Sequence, residues 1–551
     1  MTQRVRYIGI PGSGKTTKGM EVIAKVRERG FTLMQIGYCT FTRAARREAA
    51  NRAAETFDVK IDSLEKAGWF RTIHSCCMRL LGIPRGVIVN SDRDWLRAAL
   101  QDQNIQSIDD EEDDELWTRP WRGQSPATYA LSLWDVARSR LLPFDAVWEE
   151  AMMRSMRDNR RDWREVEWII RAYELAKQKD ERLDFTDVLL RYIGIKMTLA
   201  GPETIEPQGD VPPVPVWILD ECQDTSPLLD RAAQRLTANA IWIYLLGDAN
   251  QGIYGWSGAD PYAFLRWPVA HEEHLMKSWR CSRKILDLGL NLLRLSNDEP
   301  SRAIRSMPFE ARQPGGTIDQ DWEENLTHHL SDPTKATLVM ARTNLQAQDI
   351  QRRLSAAEIP WKSVKGSQRW PPLAATRTSD VFATLERGEP IDGDGWRRIV
   401  AAVPAALLKR GTKKRFTTAA SKSEADFVTL LSLKEYGGTD ALATFIEEGQ
   451  WRAELPQLDQ AHIDARRKWG DLVDQPMIQV GTIHSTKGME SAKVVLCTGI
   501  GKTIQDSLFL QEGLDEERRV WYVGATRAKD DLVLLRGQRW NYEDIYDALG
   551  G

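Results

Sequence analysis

The chain has 551 residues, 42% of them hydrophobic and 28% charged, which suits several folded domains with ample buried core. The formal net charge of −4 excludes a uniformly basic nucleic-acid coat but leaves room for a local basic groove. Six cysteines (Cys39, Cys76, Cys77, Cys222, Cys281, Cys497) without C-x-x-C spacing exclude a disulfide scaffold or zinc ribbon and imply reduced thiols.

In chain order, Val5–Gly9 reads as a strand, followed by a glycine-rich turn and a helix over Thr16–Arg29. Leu33–Tyr38 predicts a second strand and Arg43–Glu55 a helix, an alternation that argues for a parallel, helix-covered sheet. From Ile83 to Lys179 the pattern turns helical and rich in Trp and Arg. It is broken at Asp109–Glu115 by seven consecutive acids, whose ordinary reading is a solvated loop. Strands return at Val216–Asp220 and Ile241–Gly247, the first behind a Pro-rich lead-in, Gly209–Pro215. A second α/β pattern starts at Thr337–Ala341, is interrupted from Gly366 to Gln475, and resumes at Ile478–Thr482 and Val494–Thr498.

The expected fold class is therefore α/β: two parallel-sheet cores, each with a mostly helical inserted module. The expected boundaries are 1–82 and 181–290 for the first core around an insertion at 83–180, then 291–370 and 476–551 for the second core around an insertion at 371–475. No run reaches the ~18 apolar residues of a membrane span, and no signal peptide fits Met1–Tyr7. A cytoplasmic protein with no membrane partner is expected.

The strongest local signal is Gly9–Thr17, which fits G-x-x-x-x-G-K-[ST] between a strand and a helix. The loop of Gly9, Pro11, Gly12, Ser13 and Gly14 would curl around phosphates, its non-proline backbone amides donating to them, aided by the helix N-terminus. Lys15 would neutralise the outer phosphates, Thr16 would sit on Mg²⁺, and Thr17 completes the loop. An Mg²⁺ site also needs a carboxylate, and the apolar strand Val216–Leu219 runs into Asp220 and Glu221. Asp220 would hold the metal and Glu221 would accept a proton from an attacking water. Hydrolysis of a nucleoside triphosphate with Mg²⁺ follows as the expectation.

Asp220–Asp224 resembles the D-E-x-Q-D box of superfamily 1 helicases of the UvrD/PcrA/Rep type. Thr40–Arg46 is similar to motif Ia of that family, Thr72–Ser75 to motif Ib, and Leu183–Leu190 to its L-D-F-x-D-L-L segment. Gly247–Ala259 resembles motif III, Ser278–Arg280 motif IV, Thr482–Glu490 motif V, and Glu517–Lys529 motif VI. The resemblance implies two RecA-like P-loop cores, ATP as the nucleotide, and a 3′-to-5′ motor on single-stranded DNA and single/double-strand junctions. It also implies that Gln251 senses the γ-phosphate and that Arg280 and Arg527 act as arginine fingers, where the ordinary alternative is a surface ion pair. Trp279, at a position usually Tyr, would stack on a base, and Glu490 would bond the ribose. Phe41, Thr72, His74, Tyr254, Trp256 and His484 resemble DNA contacts, although a lone histidine is more often structural. Trp256 would stack on a base or else serve as a core aromatic. A DNA-dependent ATPase that remodels protein–DNA complexes without unwinding is the alternative reading.

Two biases remain. Arginine outnumbers lysine 52 to 23, and there are 21 tryptophans. Residues 409–422 carry six positive charges and no acid, which suits either a duplex-phosphate contact or a solvated loop.

Overall fold

The computed structural model describes residues 2–41, 43–101, 125–154, 162–294, 296–304, 307–366, 368–416, 427–454, 460–501, 504 and 511–537. The acid run Asp109–Glu115 and Lys422 of the basic stretch lie outside the described residues.

Six strands make the first sheet: β1 (Gln3–Gly9), β2 (Ile36–Thr40), β3 (Trp69–Thr72), β6 (Val216–Leu219), β7 (Trp242–Gly247) and β8 (His271–Leu275). Their order is β3-β2-β6-β7-β1-β8, and every pairing is parallel. Between β3 and β6 lies an antiparallel hairpin of β4 (Ile195–Thr198) and β5 (Gly201–Thr204). Helices cover both faces of the sheet, so its central strands are buried throughout, over all of Val216–Leu219 and all of Ile36–Thr40. Expected and observed elements differ at β2. Leu33–Gln35 forms a 3₁₀ turn capped reciprocally by Thr32 and Gln35, and this local capping delays the strand to Ile36.

The second sheet has the order β12-β11-β13-β10-β14-β15-β9. Its strands are β9 (Thr317–Trp322), β10 (Thr337–Ala341), β11 (Trp361–Ser363), β12 (Arg369–Trp370), β13 (Ile478–Thr482), β14 (Ser491–Cys497) and β15 (Ala528–Arg536). Only the β11–β12 pair is antiparallel. The fold is thus mixed α/β with two parallel-sheet cores.

Each core carries a helical insertion with an interior of its own. In the first, Leu96, Leu131, Trp134, Phe144, Ile169 and Tyr173 pack together; in the second, Phe382, Trp396, Phe416, Phe445 and Trp451 do. Buried charges tie the first insertion down. Arg138 Nη1 and Lys177 Nζ reach Asp184 Oδ2 at 2.7 and 2.9 Å, and Asp184 also caps the helix Phe185–Ile193.

The chain enters the second core earlier than residue 290. Helix Arg283–Arg294 packs Ile285, Leu286 and Leu293 among Leu338, Met340, Val520 and Tyr522 of that core. Gly289 is what lets it approach, since a Cβ there would lie 2.8 Å from Thr526 Cγ2. Ile10 and Ile253 of the first core join the same cluster, so apolar contact is continuous across the cleft. No helix among the described residues is long and apolar enough to cross a membrane.

Candidate nucleotide cleft and nucleic-acid face

Parallel strands deliver their C-terminal ends to one edge of the first sheet, the usual place for a ligand in an open α/β fold. Tyr7 and Ile8 register with Leu246 and Gly247, and Cys39 with Leu219, so the phosphate loop, Asp220 and the Gly247–Gln251 segment converge. Gly12 and Gly14 take φ of +70° and +83°, the left-handed region that glycine enters freely. Gly12 has a second constraint, because a Cβ there would lie 2.3 Å from Arg280 Cβ. Lys15 opens the helix Lys15–Glu28 and donates from a buried Nζ to the Gly9 carbonyl at 2.8 Å. Thr16 Oγ1 donates to Asp220 Oδ2 at 3.2 Å, and Thr17 Oγ1 accepts from Arg52 at 3.4 Å.

Asp220 is fully enclosed. Its Oδ1 accepts the Glu221 amide at 2.9 Å and its Oδ2 the Tyr38 hydroxyl at 2.6 Å. Burial, reinforced by the neighbouring Glu221 charge, pushes Asp220 up to about 6. Burial works the same way on Glu221, but Lys15, Lys487, a bond from Gln223 and Arg527 together hold it below the usual carboxylate range. The Glu221 backbone is left-handed, φ 58°, a strained setting for a non-glycine residue at a site of this kind. Gln223 Nε2 donates to Glu221, and its Oε1 accepts the Asp248 amide at 3.1 Å. Gln251 Nε2 donates to Asp248 Oδ2 at 2.7 Å. Glu221 and Gln251 are therefore joined through the Gln223 side chain and Asp248, which donates its amide to Gln223 and accepts from Gln251 at its carboxylate.

Across the cleft, Trp279 and Ser278 are pinned to the phosphate loop: Trp279 N donates to Gly12 O and Ser278 Oγ to Pro11 O, both at 2.8 Å. The Trp279 ring is 63% exposed beside Gly14, with Lys277 Nζ 4.1 Å from its centroid. Arg280 Nε donates to Glu490 Oε2 at 2.6 Å, while Lys529 Nζ meets Glu490 Oε1 at 2.7 Å. Burial opposes ionisation of Glu490, but these two cations hold it down at about 2. Glu490, expected on a ribose, is here occupied by two cations. Arg527 is buried; its Nε donates to Val523 O at 2.9 Å and its Nη2 has no hydrogen-bond partner. Burial and the like charge of Arg280 push Arg527 down to about 9.

These features fit a magnesium-bound triphosphate. Ser13 Oγ and Arg527 Nη2 are buried donors without partners, and the loop glycines leave no Cβ in the cradle. Among the described residues no group of three or more His, Cys, Asp and Glu could hold a metal by itself. Thr16 and Asp220, bonded to each other beside the phosphate loop, would suit Mg²⁺, which takes one or two protein ligands plus substrate phosphates.

The expected nucleic-acid residues divide into two groups. Tyr254, Trp256 and His484 come together, with ring centroids 6.0 to 6.1 Å apart, although His484 belongs to the second core. His484 Nε2 donates to Ile253 O at 3.2 Å, and burial, then Arg342, push its pKa well below the usual histidine value. Trp256 is half-buried rather than a core residue. The others occupy structural positions near the ends of β2 and β3. Phe41 packs on the core, Thr72 caps the helix Ile73–Leu81 by accepting from Ser75 N at 3.3 Å, and His74 meets Phe185 edge-on at 5.7 Å.

Reading of single motifs missed the partners that join them. Tyr38 on Asp220, Gln223 as the bridge, Lys529 on Glu490, and the Lys487–Asp224 ion pair between the cores carried no assigned role. Asp224, Lys487 and Lys529 lie inside quoted motifs, so their positions were visible although their partners were not.

Comparison with known proteins agrees with this geometry. A profile described as UvrD/REP helicase N-terminal domain matches residues 3–269, and one described as UvrD-like helicase C-terminal domain matches 445–538. The chain is similar to the ATP-dependent DNA helicase UvrD2 of Mycobacterium tuberculosis, 24% identical over 413 residues, 70% of this chain and 56% of that protein. It is also similar to the ATP-dependent DNA helicase PcrA of Staphylococcus epidermidis, 23% identical over 386 residues, 65% and 48% of the two chains. A probable DNA helicase II homolog of Mycoplasma capricolum is 20% identical over 646 aligned residues, 96% and 82% of the chains. The chain spans about half the length of the first two relatives it matches. With a profile matching within each of its two cores and the motifs in order, the chain belongs to the UvrD/Rep family of superfamily 1 helicases.

Proposed function

We propose that the protein is an ATP-dependent DNA translocase that moves 3′-to-5′ on single-stranded DNA and separates duplex at single/double-strand junctions. The observation that carries this reading is the continuity from Glu221 through Gln223, Asp248 and Gln251 to Tyr254 and Trp256. A group that meets the attacking water and a ring that can stack on a base are thus parts of one bonded segment. The six-segment domain division is part of the same proposal, with helix Arg283–Arg294 assigned to the second core.

Lys15, the loop amides and Ser13 bind the triphosphate; Thr16 and Asp220 hold Mg²⁺, which supplies charge neutralisation at the phosphates. Glu221, kept ionised by the cations around it, accepts a proton from water. Arg280 and Arg527 face the loop from the far wall and neutralise charge that develops there. Trp279 offers an exposed face to the nucleotide base. When the far wall tightens, Lys487, bonded to Asp224 and at 2.8 Å to Gln251 O, moves with the segment that carries Trp256.

Lys15→Ala should lower DNA-stimulated ATP hydrolysis at least ~100-fold; undiminished turnover would sink the assignment. Strand displacement on 3′-tailed against 5′-tailed duplex tests direction and unwinding together. ATP-driven translocation without a displaced strand would replace unwinding by the remodelling alternative.

A further inference from the structure

Tyr38 is buried in β2, where its ring stacks on Phe70 with centroids 5.5 Å apart. A buried phenol needs a hydrogen-bond partner, and many core carbonyls would serve. This one reaches the carboxylate that meets Thr16, the other metal-side residue. Asp220 is then gripped from three elements: Tyr38 OH from β2 at 2.6 Å, Thr16 Oγ1 from the phosphate helix at 3.2 Å, and the amide of Glu221 at 2.9 Å. Its two oxygens cannot rotate without losing one of these bonds.

A separate observation points the same way. Gly19 lies in the interior of the helix Lys15–Glu28, where glycine costs roughly 0.5–1 kcal/mol relative to alanine. A Cβ at Gly19 would lie 3.1 Å from both Cε2 and the hydroxyl oxygen of Tyr38, tighter than ordinary contact. The glycine clears the space in which the hydroxyl sits.

Resting on the nucleotide-binding reading above, we infer that Tyr38 is a positioning residue: its hydroxyl, in space cleared by Gly19, fixes the Asp220 carboxylate for the magnesium of a bound nucleotide. Tyr38 touches neither phosphate nor water in this role and acts only through Asp220. Groups that orient a metal ligand typically change metal affinity 10–100-fold when removed.

Tyr38→Phe keeps the ring and its stack and removes only the donor. The test titrates Mg²⁺ into the full chain with a fluorescent N-methylanthraniloyl-ADP and reads binding, not turnover. The half-saturating Mg²⁺ concentration should rise about 10-fold in Tyr38→Phe, while affinity for the analogue in EDTA stays that of wild type. Gly19→Ala should shift it in the same direction by less, because it displaces the hydroxyl without deleting it. In an Asp220→Asn background, Tyr38→Phe should add no further shift, since the carboxylate it orients is gone. A wild-type Mg²⁺ midpoint in Tyr38→Phe, with analogue binding intact, would overturn the inference and leave Tyr38 a core filler. Failure of wild type to bind the analogue would instead overturn the nucleotide reading, and the inference with it.

Discussion

The two walls of the cleft are built on opposite electrostatic plans. On the first-core wall, Lys15, Thr16, Asp220, Glu221 and Gln251 are each bonded to partners within that core: Gly9 O, Asp220, Tyr38, Gln223 and Asp248. On the far wall, Arg280 and Lys529 share the carboxylate of Glu490, with Arg527 buried behind them. Arg527 does not reach it with a hydrogen bond, and its Nη2 is left without a partner in a buried setting. Burial disfavours the charged guanidinium and the like charge of Arg280 adds to it, which is why Arg527 falls to about 9. The first wall is therefore organised before any ligand arrives, whereas the second holds surplus positive charge that an anion would relieve. Under the proposed function, one wall binds phosphate and the other responds to it.

The largest effect should come from removing that response. Arg527→Ala should lower ATP turnover about 1,000-fold, in the range known for arginine fingers, while binding of the N-methylanthraniloyl nucleotide changes only a few-fold. Equal losses of binding and turnover would mean that Arg527 belongs to the preorganised wall and would break the contrast. Glu490→Gln should do less. It removes the one carboxylate that occupies Arg280 and Lys529, so both cations become more available to phosphate. Nucleotide affinity should rise several-fold and depend more steeply on salt, as charge on the wall grows. A fall in affinity would return Glu490 to the ribose contact that its motif implies.

How much of this was legible in the chain depended on sequence distance and on burial. Strands β10 and β13 occur residue for residue where apolar runs placed them, because strands buried on both faces carry few polar positions to blur them. Edge strands behave oppositely. His271–Leu275 and Thr317–Trp322 carry acids and polar groups along nearly their whole length, which protects an open edge and hides the strand from any apolar pattern. The phosphate loop was legible because its glycines, Lys15 and Thr16 are adjacent and their chemistry is local. Tyr38 lies 182 residues from Asp220, Arg280 lies 210 from Glu490, and Lys487 lies 263 from Asp224, and no local spacing encodes such pairs. Thr72 shows a local role that the chain does spell out. A threonine three residues before a serine at a helix start caps that helix, a local role that the motif comparison had overshadowed.

The smallest expected effect concerns stability rather than turnover, and it isolates the surplus charge from the chemistry. The folded value of Arg527, about 9, lies below the ordinary 12.5, so between these limits the native protein binds fewer protons than the unfolded chain. Stability from this group therefore rises with pH through that window, and below it the charged guanidinium costs stability. Arg527→Met fills a similar volume without charge. In the absence of nucleotide its melting temperature should be about 2 °C higher than wild type at pH 7. Saturating Mg²⁺ with a non-hydrolysable ATP analogue should reverse the order, because only wild type has a cation to spend on the phosphate and ligand binding to the native state stabilises it. A lower melting temperature for Arg527→Met without nucleotide would show that its bonds to Val523 O and Met489 O outweigh the repulsion, and that the far wall is as settled as the near one.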